Sequence, residues 1–282
     1  RTSPPSTATR WRPERRAPAS APAAEAAMRL RVLGSSGAYP RPDNPSTGFV
    51  LETGQGRLWL DAGTGTFAAL QRAGVPYTRL DALVLSHLHA DHCLDVYPLY
   101  YALRFTPGEG WGTERRLPVY APPGSRETLS GLLAPDDAET FARALDFREI
   151  EEGSVVEAAG LRLTFLRTRH PIHTLAVRAE AAGAVLTYSA DTGPGTDLPR
   201  FARGSDLLVC EATYQNARLG APLHLSAAQA AETAVQAEAR ALALTHLWPD
   251  LDPEVSLAEA RAAAPGLTVR HVRTGDEVEL SG

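Results

Sequence analysis

The segment His87-Leu88-His89-Ala90-Asp91-His92 follows directly on the apolar run Leu83-Val84-Leu85. A short apolar run of this kind predicts a buried strand, and the polar segment after it must fold back at an edge of the sheet. On an extended chain His87 and His89 point to the same side, while Asp91 and His92 follow on the first turn of a predicted helix. Imidazole and carboxylate groups are ligands for zinc and similar ions. The segment therefore predicts a site for two closely spaced divalent cations at a sheet edge.

The composition is that of a globular protein. The chain has 282 residues, enough for one large domain with a substantial core, and 44% of them are hydrophobic. No apolar run approaches the roughly 20 residues that span a bilayer, so we expect no membrane partner. The two cysteines, Cys93 and Cys210, cannot form a disulfide framework, which favours a cytoplasmic protein. Cys93 is either a thiol beside the metal ligands or, as we favour, a small buried residue of a helix.

The first 27 residues differ in composition from the rest of the chain. They contain five Arg, two Glu and five Pro, which predicts a disordered leader over residues 1–27. Met28 is the only methionine and stands where strand-like sequence begins, so we expect the native start there and a folded domain over residues 28–282. A targeting peptide is the alternative, but the prolines disfavour an amphipathic helix. The net charge of −5 argues against a broad nucleic-acid-binding surface.

From Met28 onward, strand-like and helix-like segments alternate, which predicts a layered α/β sandwich. The predicted strands are Leu30–Leu33, Phe49–Glu52, Arg57–Asp61, Leu83–Ser86, Pro118–Ala121, Leu161–Leu166, Leu175–Arg178, Val185–Ser189, Leu207–Glu211, Ala241–Thr245 and Thr268–Val272. The predicted helices are Thr66–Arg72, Leu94–Phe105, Arg126–Leu133, Ala138–Leu145, Ala227–Ala239 and Ser256–Ala263. A doubly wound nucleotide-binding sheet is the alternative, but Gly34-Ser35-Ser36-Gly37 lacks the glycine spacing of that motif.

Two closely spaced dications repel each other, so a dinuclear site needs a bridging carboxylate and further imidazoles. Three residues stand just past apolar runs, where a sheet presents functional groups at its edge: His170, Asp191 and His246. His173 is near enough to His170 to replace it as a ligand. We interpret His271, which lies within a strand pattern, as structural.

Short motifs follow one another along the chain: Gly34-Ser35-Ser36-Gly37-Ala38-Tyr39-Pro40, Leu60-Asp61-Ala62-Gly63, Ser86 to His92, His170-Pro171, Tyr188-Ser189-Ala190-Asp191-Thr192-Gly193, Glu211-Ala212-Thr213, His224-Leu225-Ser226 and Leu244-Thr245-His246. In this order they resemble the metallo-β-lactamase superfamily, and within it the short ribonuclease Z-like phosphodiesterases. The resemblance covers Met28 to about Leu280. It implies a four-layer αββα sandwich and a hydrolase domain over residues 28–282.

The resemblance also implies a ligand set for two divalent metal ions, zinc or alternatively manganese. One ion would be held by three histidines, His87, His89 and His170. The other would be held by Asp91, His92 and His246, and Asp191 would bridge the two. Asp61 resembles a residue that orients the ligands, and its alternative is a carboxylate of a strand-end turn.

The same resemblance implies a reaction in which a hydroxide that bridges the metals attacks phosphorus. Asp91 would accept the proton of the attacking water as well as bind metal. His224 would assist at the substrate phosphate, the alternative being a solvated loop histidine. The backbone N–H groups of Ser35, Ser36 and Gly37 are predicted to bind phosphate as well, because glycine-rich turns form anion-binding concavities.

Departures from ribonuclease Z bear on the substrate. The segment Thr106–Arg116, a predicted flexible loop, replaces a long tRNA-clamping arm, and Leu247-Trp248-Pro249-Asp250 replaces a Ser-x-Arg-Tyr-like ending. Ala190 stands where the family has glycine before the bridging aspartate. We therefore favour a small cyclic nucleotide or cyclic phosphate ester as the substrate over the 3′ end of a tRNA.

Two other classes stay open from the sequence. One is a hydrolase of non-phosphate substrates, such as a thioesterase or a lactamase-like enzyme, and the other is a metal-binding pseudoenzyme. The pseudoenzyme is disfavoured because all seven predicted ligands are present. A homodimer is expected by analogy with the family alone.

Overall fold

A computed structural model describes residues 9–11, 13, 27–105 and 116–282. Most of the predicted leader and residues 106–115 of the predicted flexible loop lie outside these described residues. None of the helices in the described ranges is both long enough and apolar enough to cross a lipid bilayer.

The described residues form fifteen strands and eight α-helices. The strands are β1 (Arg10–Trp11), β2 (Met28–Gly34), β3 (Gly48–Thr53), β4 (Gly56–Leu60), β5 (Ala82–Val84), β6 (Leu117–Ala121), β7 (Leu145–Glu149), β8 (Val155–Ala158), β9 (Leu161–Arg167), β10 (Leu175–Ala181), β11 (Ala184–Tyr188), β12 (Leu207–Glu211), β13 (Ala241–Thr245), β14 (Thr268–His271) and β15 (Glu277–Leu280). The helices are α1 (Thr66–Arg72), α2 (Ala90–Cys93), α3 (Val96–Phe105), α4 (Ser125–Ser130), α5 (Pro135–Ala144), α6 (Leu198–Phe201), α7 (Ala227–Gln236) and α8 (Pro253–Ala263).

The strands pair into two mixed sheets. The first sheet has the order β1-β15-β2-β3-β4-β5-β6-β7, and the second has the order β14-β13-β12-β11-β10-β9-β8. In the first sheet β4 to β7 run parallel to one another, and in the second β11 to β14 do so. Parallel neighbours end at the same edge of a sheet, so each sheet brings several strand ends together there.

Alternation of side chains along the strands divides the interior into three apolar layers. In β4, Leu58 and Leu60 point into the core between the two sheets, whereas Trp59 points to the opposite face. That face packs against α1, α3 and α5. On the second sheet, Leu242 and Leu244 of β13 pack against the alanine-rich face of α7 and against α8. The predicted four-layer αββα sandwich is therefore confirmed.

A part of the predicted leader is ordered. Arg10–Trp11 pairs in parallel with Glu277–Val278 of β15, and Trp11 is buried against the core between the sheets. The guanidinium of Arg270 lies over the indole ring, 4.8 Å from its centre. The prediction of disorder is therefore wrong at these two residues, because the indole supplies the apolar area that the rest of the leader lacks.

At the strand ends beside the predicted ligands, three non-glycine residues adopt left-handed backbone conformations. Asp61 follows β4 with φ 57°, Ala190 lies two residues beyond β11 with φ 49°, and His246 follows β13 with φ 57°. Such conformations cost about 1–3 kcal/mol each in residues with a Cβ atom. They turn the chain sharply at the edge where the predicted ligands stand. The positive φ of Ala190 agrees with the glycine that the family resemblance implies at this position, since glycine adopts positive φ without strain.

Candidate metal centre

The seven predicted ligands converge on one point at the edge of the sandwich, and Asp191 lies at its middle. Oδ2 of Asp191 is 3.6 Å from Nε2 of His87 and 3.7 Å from Nε2 of His170. Its other oxygen, Oδ1, is 3.2 Å from Nε2 of His92 and 3.4 Å from Nε2 of His246. Each carboxylate oxygen of Asp191 therefore faces a different pair of imidazoles.

The remaining two ligands join these pairs. Nδ1 of His89 lies 3.2 Å from Nε2 of His87 and 3.1 Å from Nε2 of His170. Oδ2 of Asp91 lies 3.1 Å from Nε2 of His246. Three groups of described residues have ligand atoms that lie within 4.8 Å of one another inside the group: His87, His89, His170 and Asp191; Asp91, His92 and His246; and Asp191, His224 and His246. The first two groups give the same division that the family resemblance implies.

Asp61 lies behind the centre and is fully buried. Its carboxylate accepts hydrogen bonds from the backbone N–H of Ser86 at 2.7 Å and from the Ser86 hydroxyl at 2.8 Å. It also accepts one from Nδ1–H of His92 and one from the Tyr188 hydroxyl, both at 2.8 Å. Asp61 thus contacts a predicted ligand directly and holds it with a charge-assisted bond.

Hydrogen bonds on the far side of the rings fix the tautomers of four histidines. His92 donates through Nδ1–H to Asp61, and His170 donates through Nδ1–H to the Leu223 carbonyl at 3.3 Å. The Ser86 hydroxyl donates to Asp61, so its oxygen is left to accept from Nδ1–H of His87 at 3.0 Å. By the same logic Nδ1–H of His246 donates to the Thr213 hydroxyl at 2.8 Å, because that hydroxyl donates to Glu211. In each of these four histidines the Nε2 lone pair then faces the centre, as a metal ligand requires.

The charge states of the imidazoles differ with their surroundings. Burial lowers the pKa of His87 and the pKa of His170 to about 4, so both are neutral near pH 7 and able to coordinate a cation. Burial acts in the same direction on His92, but the negative charges of Asp191 and Asp91 outweigh it and raise the pKa of His92 well above its usual value. The carboxylates of Asp191 and Asp91 therefore favour a positive charge on His92 or close to it.

Unpaired buried atoms show that the residues present fit a cation. Oδ1 of Asp191 and Nε2 of His92 are buried and make no hydrogen bond with any described residue. Burial of such groups without a partner costs free energy, and three carboxylates, Asp61, Asp91 and Asp191, are buried together. Divalent cations between the two groups would satisfy both the unpaired atoms and the excess negative charge.

A second cluster adjoins the centre and includes two residues without a predicted role, Glu211 and Thr213. Glu211 is fully buried at the end of β12, and its Oε1 accepts a hydrogen bond from Nδ1–H of His224 at 3.0 Å. Burial lowers the pKa of His224, but the hydrogen bond and the charge of Glu211 outweigh it, so the pKa of His224 is raised. The His224 ring stacks on His246, with centres 5.4 Å apart. The position of Glu211-Ala212-Thr213 at a strand end was the signal that could have identified them.

The backbone N–H groups of the predicted phosphate-binding loop donate hydrogen bonds to other parts of the protein. The backbone N–H of Ser35 donates to the Asn44 side chain, that of Ser36 to the Pro45 carbonyl, and that of Gly37 to the Leu247 carbonyl. The prediction that these three groups bind phosphate is therefore wrong, because none of their N–H groups is free. The next N–H group, from Ala38, donates instead to Oδ2 of Asp91 at 2.7 Å.

The other residues considered from the sequence lie apart from the centre. His173 and His271 belong to none of the possible metal-binding groups among the described residues, so the structure brings His170 and not His173 to the centre. Cys93 is buried in the apolar layer between the first sheet and its helices. Burial raises the pKa of its thiol to about 12, which agrees with a small packing residue.

A histidine and aspartate centre at the edge of a four-layer αββα sandwich defines the class of metal-dependent hydrolases with this fold. The family model described as the beta-lactamase superfamily domain matches residues 56–247, and the chain belongs to this superfamily. The match spans β4 to the residue after His246, and so includes every proposed ligand.

Named relatives of the chain agree with this family. An uncharacterized Mycobacterium leprae protein is 34% identical over 258 residues, which cover 90% of this chain and 89% of that protein. The Bacillus subtilis protein named probable metallo-hydrolase YhfI is 29% identical over 221 residues, covering 78% and 87%. Its crystal structure, described as a metallo-beta-lactamase fold protein, superposes with a TM-score of 0.78 at 25% identity, covering 89% and 98% of the two chains. Ribonuclease Z of Methanopyrus kandleri is 28% identical over 276 residues, covering 85% and 94%.

Proposed function

We propose that this protein is a dinuclear metal-dependent phosphodiester hydrolase whose substrate is a small cyclic nucleotide or another cyclic phosphate ester. The observation that carries the proposal is the position of Asp191, whose two oxygens face two separate groups of imidazoles. A single carboxylate in that position suits a bridge between two cations. The named function of the ribonuclease Z relatives points to phosphodiesters as the substrate class.

The ligand set favours zinc, with manganese as the alternative. His87, His89 and His170 would hold one ion, and Asp91, His92 and His246 would hold the other, with Asp191 shared between them. Five of these seven side chains are imidazoles, which suit zinc better than they suit magnesium or calcium. When bound, such ions act as Lewis acids toward water and toward the phosphoryl oxygens.

Asp91 and His224 would carry out the proton transfers of the reaction. Asp91 is held ionised: burial alone would raise its pKa, but His92 and His246 lower the pKa of this carboxyl well below its usual range. An ionised Asp91 can accept the proton of the attacking water. His224 directs Nδ1–H to Glu211, and the raised pKa of its ring favours a proton on Nε2, from which it can donate to a phosphoryl oxygen or to the leaving oxygen.

Processing of tRNA 3′ ends is the second candidate, and the ribonuclease Z relatives are the observation in its favour. Two features favour the smaller substrate. The sequence has only the short segment Thr106–Arg116 where the resemblance to ribonuclease Z implies a long tRNA-clamping arm. The net charge of −5 also disfavours a long polyanionic partner, whose phosphates require basic contacts along their length.

A substrate panel tests the proposal. The protein loaded with zinc or with manganese would be assayed with bis-p-nitrophenyl phosphate, 3′,5′-cyclic AMP, a tRNA precursor with a 3′ trailer, a thioester and a cephalosporin. We expect turnover of bis-p-nitrophenyl phosphate and of the cyclic nucleotide, and none after the metal has been removed by a chelator. Cleavage of the thioester or of the cephalosporin alone would contradict phosphodiester hydrolysis. Tight metal binding without turnover of any member of the panel would identify a pseudoenzyme.

A further inference from the structure

The loop Gly37–Tyr39 is held against two of the proposed ligands. A Cβ atom on Gly37 would lie 2.5 Å from the carbonyl oxygen of His246, so only glycine fits at this distance. The following N–H group, from Ala38, donates to Oδ2 of Asp91 at 2.7 Å, and Ala38 has a left-handed backbone with φ 58°. Tyr39 directly follows Ala38, so its backbone is held in place one residue beyond the contact with the Asp91 carboxylate.

The side chain of Tyr39 has no polar or aromatic partner among the described residues. It is 54% exposed. Within the described ranges its hydroxyl makes no hydrogen bond and its ring meets neither an aromatic ring nor a guanidinium group. An aromatic ring on a rigid backbone beside a reaction centre loses little conformational entropy when a second flat ring stacks on it.

Leu223 occupies a similar position beside the other group of ligands. Its carbonyl accepts the hydrogen bond from Nδ1–H of His170, and its side chain is 38% exposed. His224, the proposed phosphate-contacting residue, follows it directly. The backbone next to Tyr39 thus contacts the Asp91 side of the centre and the backbone of Leu223 contacts the His170 side, and both side chains are exposed.

We propose that Tyr39 and Leu223 form a subsite for a planar aromatic group of the substrate, in particular the base of a nucleotide. This inference rests on the proposed phosphodiester hydrolysis and adds the chemistry of the organic group attached to the phosphate. Tyr39 stacks on the base, and Leu223 packs against its edge or against the sugar. Stacking on an aromatic side chain strengthens the binding of a base by about 10-fold or more.

The test compares ligands that differ only in the base. Isothermal titration calorimetry on the metal-loaded protein measures the binding of AMP and of ribose 5-phosphate to wild type, Tyr39→Ala, Tyr39→Phe and Leu132→Ala. Leu132 is a control for loss of an exposed apolar side chain, since it lies beyond α4 on the outer helical layer. We expect wild type, Tyr39→Phe and Leu132→Ala to bind AMP about 10-fold more tightly than ribose 5-phosphate, and Tyr39→Ala to bind the two alike.

The outcomes separate this inference from the proposed function. Equal binding of both ligands by the wild type, no binding of either, or an unchanged AMP preference in Tyr39→Ala overturns the subsite. Turnover of bis-p-nitrophenyl phosphate, measured on the same samples, tests the phosphodiesterase activity independently. Turnover without a preference for AMP contradicts the subsite alone. A preference that depends on Tyr39 without any phosphodiester turnover supports the subsite and contradicts the proposed reaction.

Discussion

The Nδ1–H group of His92 donates a hydrogen bond of 2.8 Å to Oδ2 of Asp61, in the buried space between β4 and the metal centre. The bond fixes the tautomer of His92, so that Nε2 presents its lone pair toward Asp191. Asp61 itself is aimed by a left-handed backbone and by the Tyr188 hydroxyl from the second sheet. The orientation of one proposed ligand therefore depends on contacts from both sheets.

Asp61→Asn should weaken metal binding by about 10- to 100-fold, because the amide no longer offers His92 a charged acceptor. The measurement is a zinc titration against a competing chelator. Tyr188→Phe serves as the matched control, since it removes one of the hydrogen bonds to the same carboxylate and leaves its charge, and we expect a smaller loss there. Unchanged zinc affinity in Asp61→Asn would show that Asp61 is only a turn residue.

Asp191→Ala should abolish turnover and reduce the metal content below the proposed two ions per chain, because both proposed ion positions lose the shared ligand. Elemental analysis and the bis-p-nitrophenyl phosphate assay on the same preparation measure both effects. Asp43→Ala removes an exposed carboxylate elsewhere and should change neither quantity. Near-normal activity of Asp191→Ala, or a wild type that folds fully without binding any metal, would contradict the dinuclear proposal.

His224→Ala should lower kcat by about 100- to 10,000-fold while the metal content stays intact, because its proposed role is at the substrate and it is not one of the seven proposed ligands. Glu211→Gln should lower kcat less, since it weakens the hold on His224 and keeps the ring. Loss of metal in His224→Ala would instead make it a ligand. The structure gives this result a specific meaning, because ligand atoms of Asp191, His224 and His246 also lie within 4.8 Å of one another.

Trp11→Ala should reduce the free energy of unfolding by at most about 3 kcal/mol, since the short strand β1 can detach instead of leaving a cavity in the core. Urea unfolding gives the size of the loss, and hydrogen exchange of β15 should speed up because its edge becomes open. Trp11→Phe keeps an aromatic ring under Arg270 and should lose less. Identical exchange of β15 in Trp11→Ala would show that β1 contributes nothing to the sheet edge.

Glu52→Gln should destabilise the protein near neutral pH and have no effect in acid. Burial would raise the pKa of Glu52, but hydrogen bonds from Arg31 and Arg57, at 2.6 and 2.9 Å, lower it overall. A carboxyl with a lowered pKa stabilises the fold fully above its unfolded pKa and loses this contribution as the pH falls through its folded pKa. Urea unfolding from about pH 7 to about pH 3 measures the difference, and a difference independent of pH would contradict it.

Elements with strong local patterns were predictable from the sequence, and short polar ones were not. Helix α1 was predicted over Thr66–Arg72 and has those bounds. Strand β15 was missed because Glu277 and Glu279 interrupt its apolar pattern. In the folded protein these two glutamates form ion pairs with arginines of the neighbouring strand β2. The predicted helix Leu94–Phe105 begins at Val96 instead, after a separate short helix α2 that carries Asp91 and His92.

The sequence by itself determined which side chains could belong to a metal centre. Apolar runs predict the strands, and the candidate ligands follow those runs directly, so both are local features. The roles of these residues remain predictions. Only the tertiary structure decided how they meet: Asp91 and His246 are 155 positions apart, yet they lie in contact. It also decided that the N–H groups of Ser35–Gly37 are occupied and that Glu211 supports His224. These hydrogen bonds join loops and strand ends that meet in this way only in the folded protein, so no local pattern records them.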